Sequence, residues 1–146
     1  MSSARLVPCV FALAVVGLSH AGDLAAIKAE PDLNKRAELA MANADESIDA
    51  ARNAWQAGRE EQARAAVGDI QTSAQLAYDS LKQTHKAARN NKYYKRVELN
   101  MRELLRRLDG LHTDAPYDDR GSVEQVQKSV QDLHDQILTD IMSKRK

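Results

Sequence analysis

The sequence predicts an all-α protein, an up-down antiparallel four-helix bundle that follows a cleaved N-terminal signal peptide. Three observations carry this reading. From residue 31 onward apolar residues recur at alternating steps of three and four, the period of a helix that buries one stripe. Aromatics are only 4% of the 146 residues, so the core has to be assembled from Ala, Leu, Val, Ile and Met, a composition that favours helices. Apolar residues at 43% and charged residues at 29% are too apolar for a disordered chain and too charged for a membrane bundle, and the length holds one domain.

The elements follow in order. Residues 1–21 have the form of an export signal: Arg5 gives a positive start, Leu6 to Leu18 is apolar apart from Gly17, and Ser19-His20-Ala21 places small residues where a signal peptidase reads them. Cleavage is expected after Ala21, because the apolar run is shorter than the roughly 20 residues of a spanning helix. Cys9 stands near the start of that run, not at its end, so lipid anchoring is not expected. Its removal leaves a chain without cysteine, which excludes disulfides, thiolate nucleophiles, iron-sulfur clusters and covalently attached c-type haem. Residues 22–30 are a short lead, and 31–146 form the helical domain.

The first helix carries Leu33, Ala37, Ala40, Ala44, Ile48, Ala51 and Trp55, starts at Pro31 and stops at Gly58. The second carries Ala63, Val67, Ile70, Ala74, Ala77 and Leu81, opens with Glu60 and Glu61 at its positive pole and fades near Arg89. Its stripe keeps phase across Gly68, so it is read as continuous. The third carries Tyr94, Val97, Met101, Leu104, Leu108 and Leu111, with Gly110 as a left-handed C-terminal cap and Leu111 folding back. A loop follows over residues 112–121. Ser122-Val123-Glu124-Gln125 has capping-box spacing and begins the fourth helix, which carries Val123, Val126, Val130, Leu133, Ile137 and Ile141 and ends in Lys144, Arg145 and Lys146. Seven of 13 stripe positions in the first two helices are Ala and none of 12 in the last two, so the first pair should pack more closely. The first two helices should also be longer, at roughly 27 residues each.

Most chemistries lack their residues. The glycines Gly22, Gly58, Gly68, Gly110 and Gly121 have no phosphate-loop or dinucleotide spacing. None of His85, His112 and His134 has Glu three residues before it, so no bundle metal site is expected and the histidines read as solvated. The serines sit on helix faces or caps without an elbow that would present a nucleophile. Asp45 with Asp49, and Asp118 with Asp119, read as solvated charge, Asp49 pairing with Arg52. Trp55 is in phase with its stripe and reads as a plug at the end of the bundle. No catalytic residue, cofactor or metal is therefore expected.

Charge placement is the unusual feature. Residues 82–107 carry a net +7, against −5 over 22–81 and −3 over 108–146. Lys92, Lys95, Arg96, Arg102, Arg106 and Arg107 project away from the stripe of the third helix and are the candidate contacts for an anion or a partner. The opposing reading is a solvated face, balanced by acidic neighbours and by Glu98 with Arg102 and Glu103 with Arg107. Tyr93 and Tyr94 read as core-edge residues between cations, not as a stacking platform for single strands.

The segments Glu30-Pro31-Asp32-Leu33-Asn34-Lys35-Arg36-Ala37-Glu38-Leu39-Ala40, Tyr94-Lys95-Arg96-Val97-Glu98-Leu99 and Tyr117-Asp118-Asp119-Arg120 resemble those of a family of small exported all-helical bacterial proteins. The resemblance spans most of residues 30–142 and implies export and a helical fold, with no activity or cofactor. The expectation is a non-enzymatic protein, periplasmic or secreted, that acts by contact with an envelope protein or surface. The alternative is a binder of anionic ligands or surfaces through the third helix. No specific nucleic acid is expected as a partner, and the processed chain is not expected to be an integral membrane protein.

Overall fold

Asp32, not Pro31, starts the first long helix: its carboxylate accepts hydrogen bonds from the backbone N–H groups of Asn34 at 2.9 Å and Lys35 at 3.2 Å. The structure is a computed structural model and describes residues 24–143. The export signal over 1–21, its cut after Ala21 and the basic end Lys144, Arg145 and Lys146 lie outside the described residues. The described residues are all-helical, with a short α1 (Leu24–Ala29) and four long helices: α2 (Leu33–Gln56), α3 (Glu60–Gln83), α4 (Lys92–Asp114) and α5 (Arg120–Met142). Helix α1 falls in the lead, where the sequence reading placed no helix; it buries no residue fully and rests on α2. No helix among the described residues is long and apolar enough to cross a membrane.

The helix ends show where local signals compete. Gly58 ends α2 as expected, with φ +71 and Arg59 N–H returning to Ala54 O at 2.8 Å. Helix α3 runs unbroken through Gly68 but stops at Gln83, short of Arg89; His85 at φ +54 turns the chain, and a 3-10 turn, Ala88–Asn90, leads into α4. Gly110 is no cap. Helix α4 continues through it to Asp114, because Leu111 belongs to the stripe and is fully buried. The expected loop shrinks to Ala115 and Pro116 before a second 3-10 turn, Tyr117–Asp119. Helix α5 then begins at Arg120, so Ser122 and Gln125 lie inside it and form no capping box. The four long helices have 24, 24, 23 and 23 residues, so α2 and α3 are hardly longer than the others.

The stripes meet in one bundle-like core containing Ile48, Ile70, Leu81, Met101, Leu104, Leu108, Val130 and Ile137. Backbones of α2 and α3 approach within 8 Å along far more of their length than those of α4 and α5, as the Ala-rich stripes require. Cross-links give the directions. Glu98 with His134 and Asp109 with Gln127 place α4 antiparallel to α5. Arg96 with Glu38 and Arg107 with Asp49 place α4 parallel to α2. Arg64 with Asp119 and Lys82 with Asp140 place α3 parallel to α5. Consecutive α3 and α4 hardly touch, while α2 packs on both α3 and α4. The segment 84–91 therefore crosses between two hairpins.

Candidate functional site

The helical period of α4 sends Tyr94, Val97, Met101, Leu104, Leu108 and Leu111 into the core and leaves the intervening cations on its outer side. Four of the six candidate cations are engaged with carboxylates. Arg96 pairs with Glu38 on α2, Arg102 with Glu98, and Arg106 Nε with Glu103 Oε2 at 2.9 Å. Arg107 does not pair with Glu103 as the i,i+4 spacing suggested. It crosses to α2, where Asp45 and Asp49 receive it, the latter at 2.7 Å. Its side chain is only 22% exposed, so it is a seam residue and not a free surface cation. Burial works against its charge, but the carboxylates of Asp45 and Asp49 outweigh this and raise its pKa. Arg52, reaching Asp114 at 2.8 Å and Asp49 at 3.4 Å, extends the seam to the end of α4.

Lys92 and Lys95 remain without a carboxylate within 4 Å among the described residues. Lys92 Nζ lies 5.2 Å from the centre of the Tyr93 ring, and the Arg96 guanidinium 5.5 Å from the same ring. Tyr94 is 3% exposed. Cations thus attend one tyrosine and the core takes the other, consistent with core-edge residues and against a stacking platform. Upstream, Lys86 and Arg89 likewise lack carboxylate partners, and no acidic residue occurs from Lys86 to Lys95. The free positive charge is therefore concentrated where α3 hands over to α4.

No family model, curated protein or solved structure matches the chain.

Two buried clusters with charged members, among the described residues, went unread in the sequence. Glu98 and His134, 6% and 8% exposed, are joined at 2.9 Å between α4 and α5, and Arg102 closes over Glu98 from solvent. Burial pushes the Glu98 carboxyl up, but the hydrogen bonds from His134 and Arg102 and the Arg102 charge outweigh it, holding its pKa below the usual range. His134 is thus a buried, paired residue and not a solvated one. Its Nδ1 is buried without a hydrogen-bond partner. The second cluster is at the opposite end from the 84–91 crossing. Asp119, 4% exposed, accepts from Trp55 Nε1 at 2.9 Å and from Arg64 Nε at 2.8 Å, tying α2, α3 and the start of α5 together. Trp55 is half-buried and hydrogen-bonded, so it latches that end through its indole N–H as well as packing there.

These residues can hold charge and shape; none forms a nucleophile with an oriented base. His112 is engaged with Glu124 at 2.8 Å. Among the described residues no group of three His, Cys, Asp or Glu is placed to hold a metal ion.

Proposed function

We propose that the chain is an exported, non-enzymatic protein of the family it resembles, an up-down antiparallel four-helix bundle that works in the periplasm or outside the cell by contact with an anionic envelope surface. One observation carries the contact reading: four cations between Lys86 and Lys95 have no carboxylate partner among the described residues, whereas Arg96, Arg102, Arg106 and Arg107 are engaged. A paired guanidinium presents little net field, while unpaired ammonium groups attract anions over about one Debye length, roughly 10 Å at 0.1 M salt. The broader reading, in which all six outer cations of α4 bind an anionic ligand, retains Lys92 and Lys95 as its contacts.

Co-sedimentation with vesicles of anionic phospholipid tests the proposal. Wild type should bind at low salt and release as salt rises. The double variant Lys92→Glu, Lys95→Glu should lose binding, while Arg102→Glu, Arg106→Glu should lose less. Equal behaviour of all three proteins, or binding indifferent to salt, would refute it.

A further inference from the structure

The crossing 84–91 does more than join two hairpins. His85, a non-glycine residue at φ +54, reverses the chain just beyond α3, and Thr84 Oγ1 accepts from Lys86 N–H at 3.3 Å. The 3-10 turn then brings Ala88 down onto the core, where it is 9% exposed. The arch so formed packs against α5 and borders a cavity of about 380 Å³, lined in part by Lys82, Lys86, Arg89, Asn90, Asp140 and Ser143. That volume lies in the range of small-molecule sites, roughly 300–1,000 Å³.

The lining charges do not balance. Asp140 is already shared: Tyr78 donates to its Oδ2 at 3.1 Å and Lys82 Nζ lies 3.3 Å from the same oxygen. Lys86 and Arg89 face no carboxylate within 4 Å among the described residues. Among the described lining residues, three cations and one carboxylate leave two positive charges at the wall of one concavity. Asn90 and Ser143 add neutral groups able to donate hydrogen bonds. A guanidinium fork beside ammonium point charges is the donor set that suits a phosphate-type dianion.

We propose that this cavity binds a phosphate-bearing anion, with Arg89 and Lys86 as its principal contacts and Lys82, held by Asp140, as a third. The site deepens the surface-contact reading, with which it shares Lys86 and Arg89, and the two can fail separately, because that reading also has Lys92 and Lys95, which do not line the cavity. The phosphate could belong to a soluble compound or to a phospholipid headgroup, and both share this chemistry.

Two probes separate these sources: inorganic pyrophosphate, followed by titration calorimetry at fixed ionic strength, and anionic phospholipid vesicles, followed by co-sedimentation. The proteins are wild type, Lys86→Glu with Arg89→Glu, and Lys92→Glu with Lys95→Glu, each checked for unchanged helicity by far-UV circular dichroism. Pyrophosphate binding weakened at least tenfold in the Lys86/Arg89 variant and little changed in the Lys92/Lys95 variant supports a soluble phosphate ligand. Vesicle binding with that same pattern, in the absence of pyrophosphate binding, supports a headgroup ligand. If neither probe depends on Lys86 and Arg89 more than on Lys92 and Lys95, or chloride at matched ionic strength displaces the probe equally well, the proposal is overturned.

Discussion

Truncating Glu98 to Ala should destabilise the protein by about 2–4 kcal/mol, and the structure supplies the reasons. Glu98 and His134 are both buried and meet at 2.9 Å, so removal of the carboxylate strands His134 Nε2 beside an Nδ1 that already lacks a hydrogen bond. A buried donor left unpaired costs about 1–3 kcal/mol. Loss of a buried methylene adds about 0.8 kcal/mol. Arg102 adds less than about 1 kcal/mol, its side chain being 64% exposed and screened. Glu98→Gln keeps an acceptor for His134 and should lose only about 1 kcal/mol. Replacing both partners, Glu98→Leu with His134→Leu, should return to within about 1.5 kcal/mol of wild type, because no buried polar group is then left unpaired. Urea unfolding followed by circular dichroism gives all four numbers and the coupling between the two sites. The pH dependence has a fixed sign. The folded-state pKa of Glu98 is lowered from 4.5, so its contribution is present above that value and disappears as pH falls through the lowered one. Glu98→Gln should therefore flatten the acid limb of the stability curve. A Glu98→Ala loss no larger than that of Arg102→Ala would refute the reasoning.

Gly110→Ala and Gly68→Ala should each stabilise by about 0.5–1 kcal/mol in the same unfolding assay, since both glycines are inside helices and a methyl group meets nothing closer than Arg52 Nη2 at 3.9 Å from Gly110; a loss at Gly110 would restore the cap expected from sequence. Leu104→Ala, at a position 1% exposed, should cost about 2–5 kcal/mol, against about 0.5 kcal/mol or less for Lys92→Ala, and Arg107→Ala should fall between them because of its seam contacts. Burial first, then Asp140, pushes the Tyr78 phenol up to about 12, so ultraviolet titration should show a tyrosinate step near that pH that Tyr78→Phe abolishes. Because that pKa is raised, whatever stability the phenol contributes is complete below its ordinary value and is lost as pH climbs toward 12.

The helical class and the stripes were legible because burial follows a 3.6-residue period, and Ala37, Ala44, Ile70, Val97, Leu108 and Val130 all reach the core where that period puts them. Boundaries were less so, since the same residue type serves two purposes. Gly110 could cap a helix or sit within one, and what decides is Leu111, whose burial one residue later rewards another turn. Ser122 has capping chemistry, yet Asp119 and Arg120 begin the helix earlier, where Asp119 can also receive Trp55 and Arg64. Glu98 and His134 carried a weak signal that type-based reading discounted. Glu98 follows Tyr94 by four residues and precedes Met101 by three; His134 follows Val130 by four and precedes Ile137 by three. Position on the stripe, weighed above residue type, would have placed both inside and made them each other's natural partner.

The charge pattern was legible as a list but not as a surface, and the difference lies in which helix neighbours α4. A net charge of +7 over residues 82–107 cannot reveal that α4 runs parallel to α2, so that Glu38, Asp45 and Asp49 meet Arg96 and Arg107 in register. Had α4 packed beside α3, the helix before it in sequence, these arginines would have faced a different set of charges. The seam that forms instead takes Arg96 and Arg107 out of play, Glu98 and Glu103 on α4 itself engage Arg102 and Arg106, and Lys92 and Lys95 at the beginning of the helix remain. Cation count therefore overstates the surface field along α4, whereas the stretch from Lys86 to Lys95, free of acidic residues and next to a cavity, keeps its charge. The proposed anion contact rests on the cations at that end of the molecule. Reversing charges along the paired seam should change stability before it changes binding, and reversing them at the crossing should do the opposite.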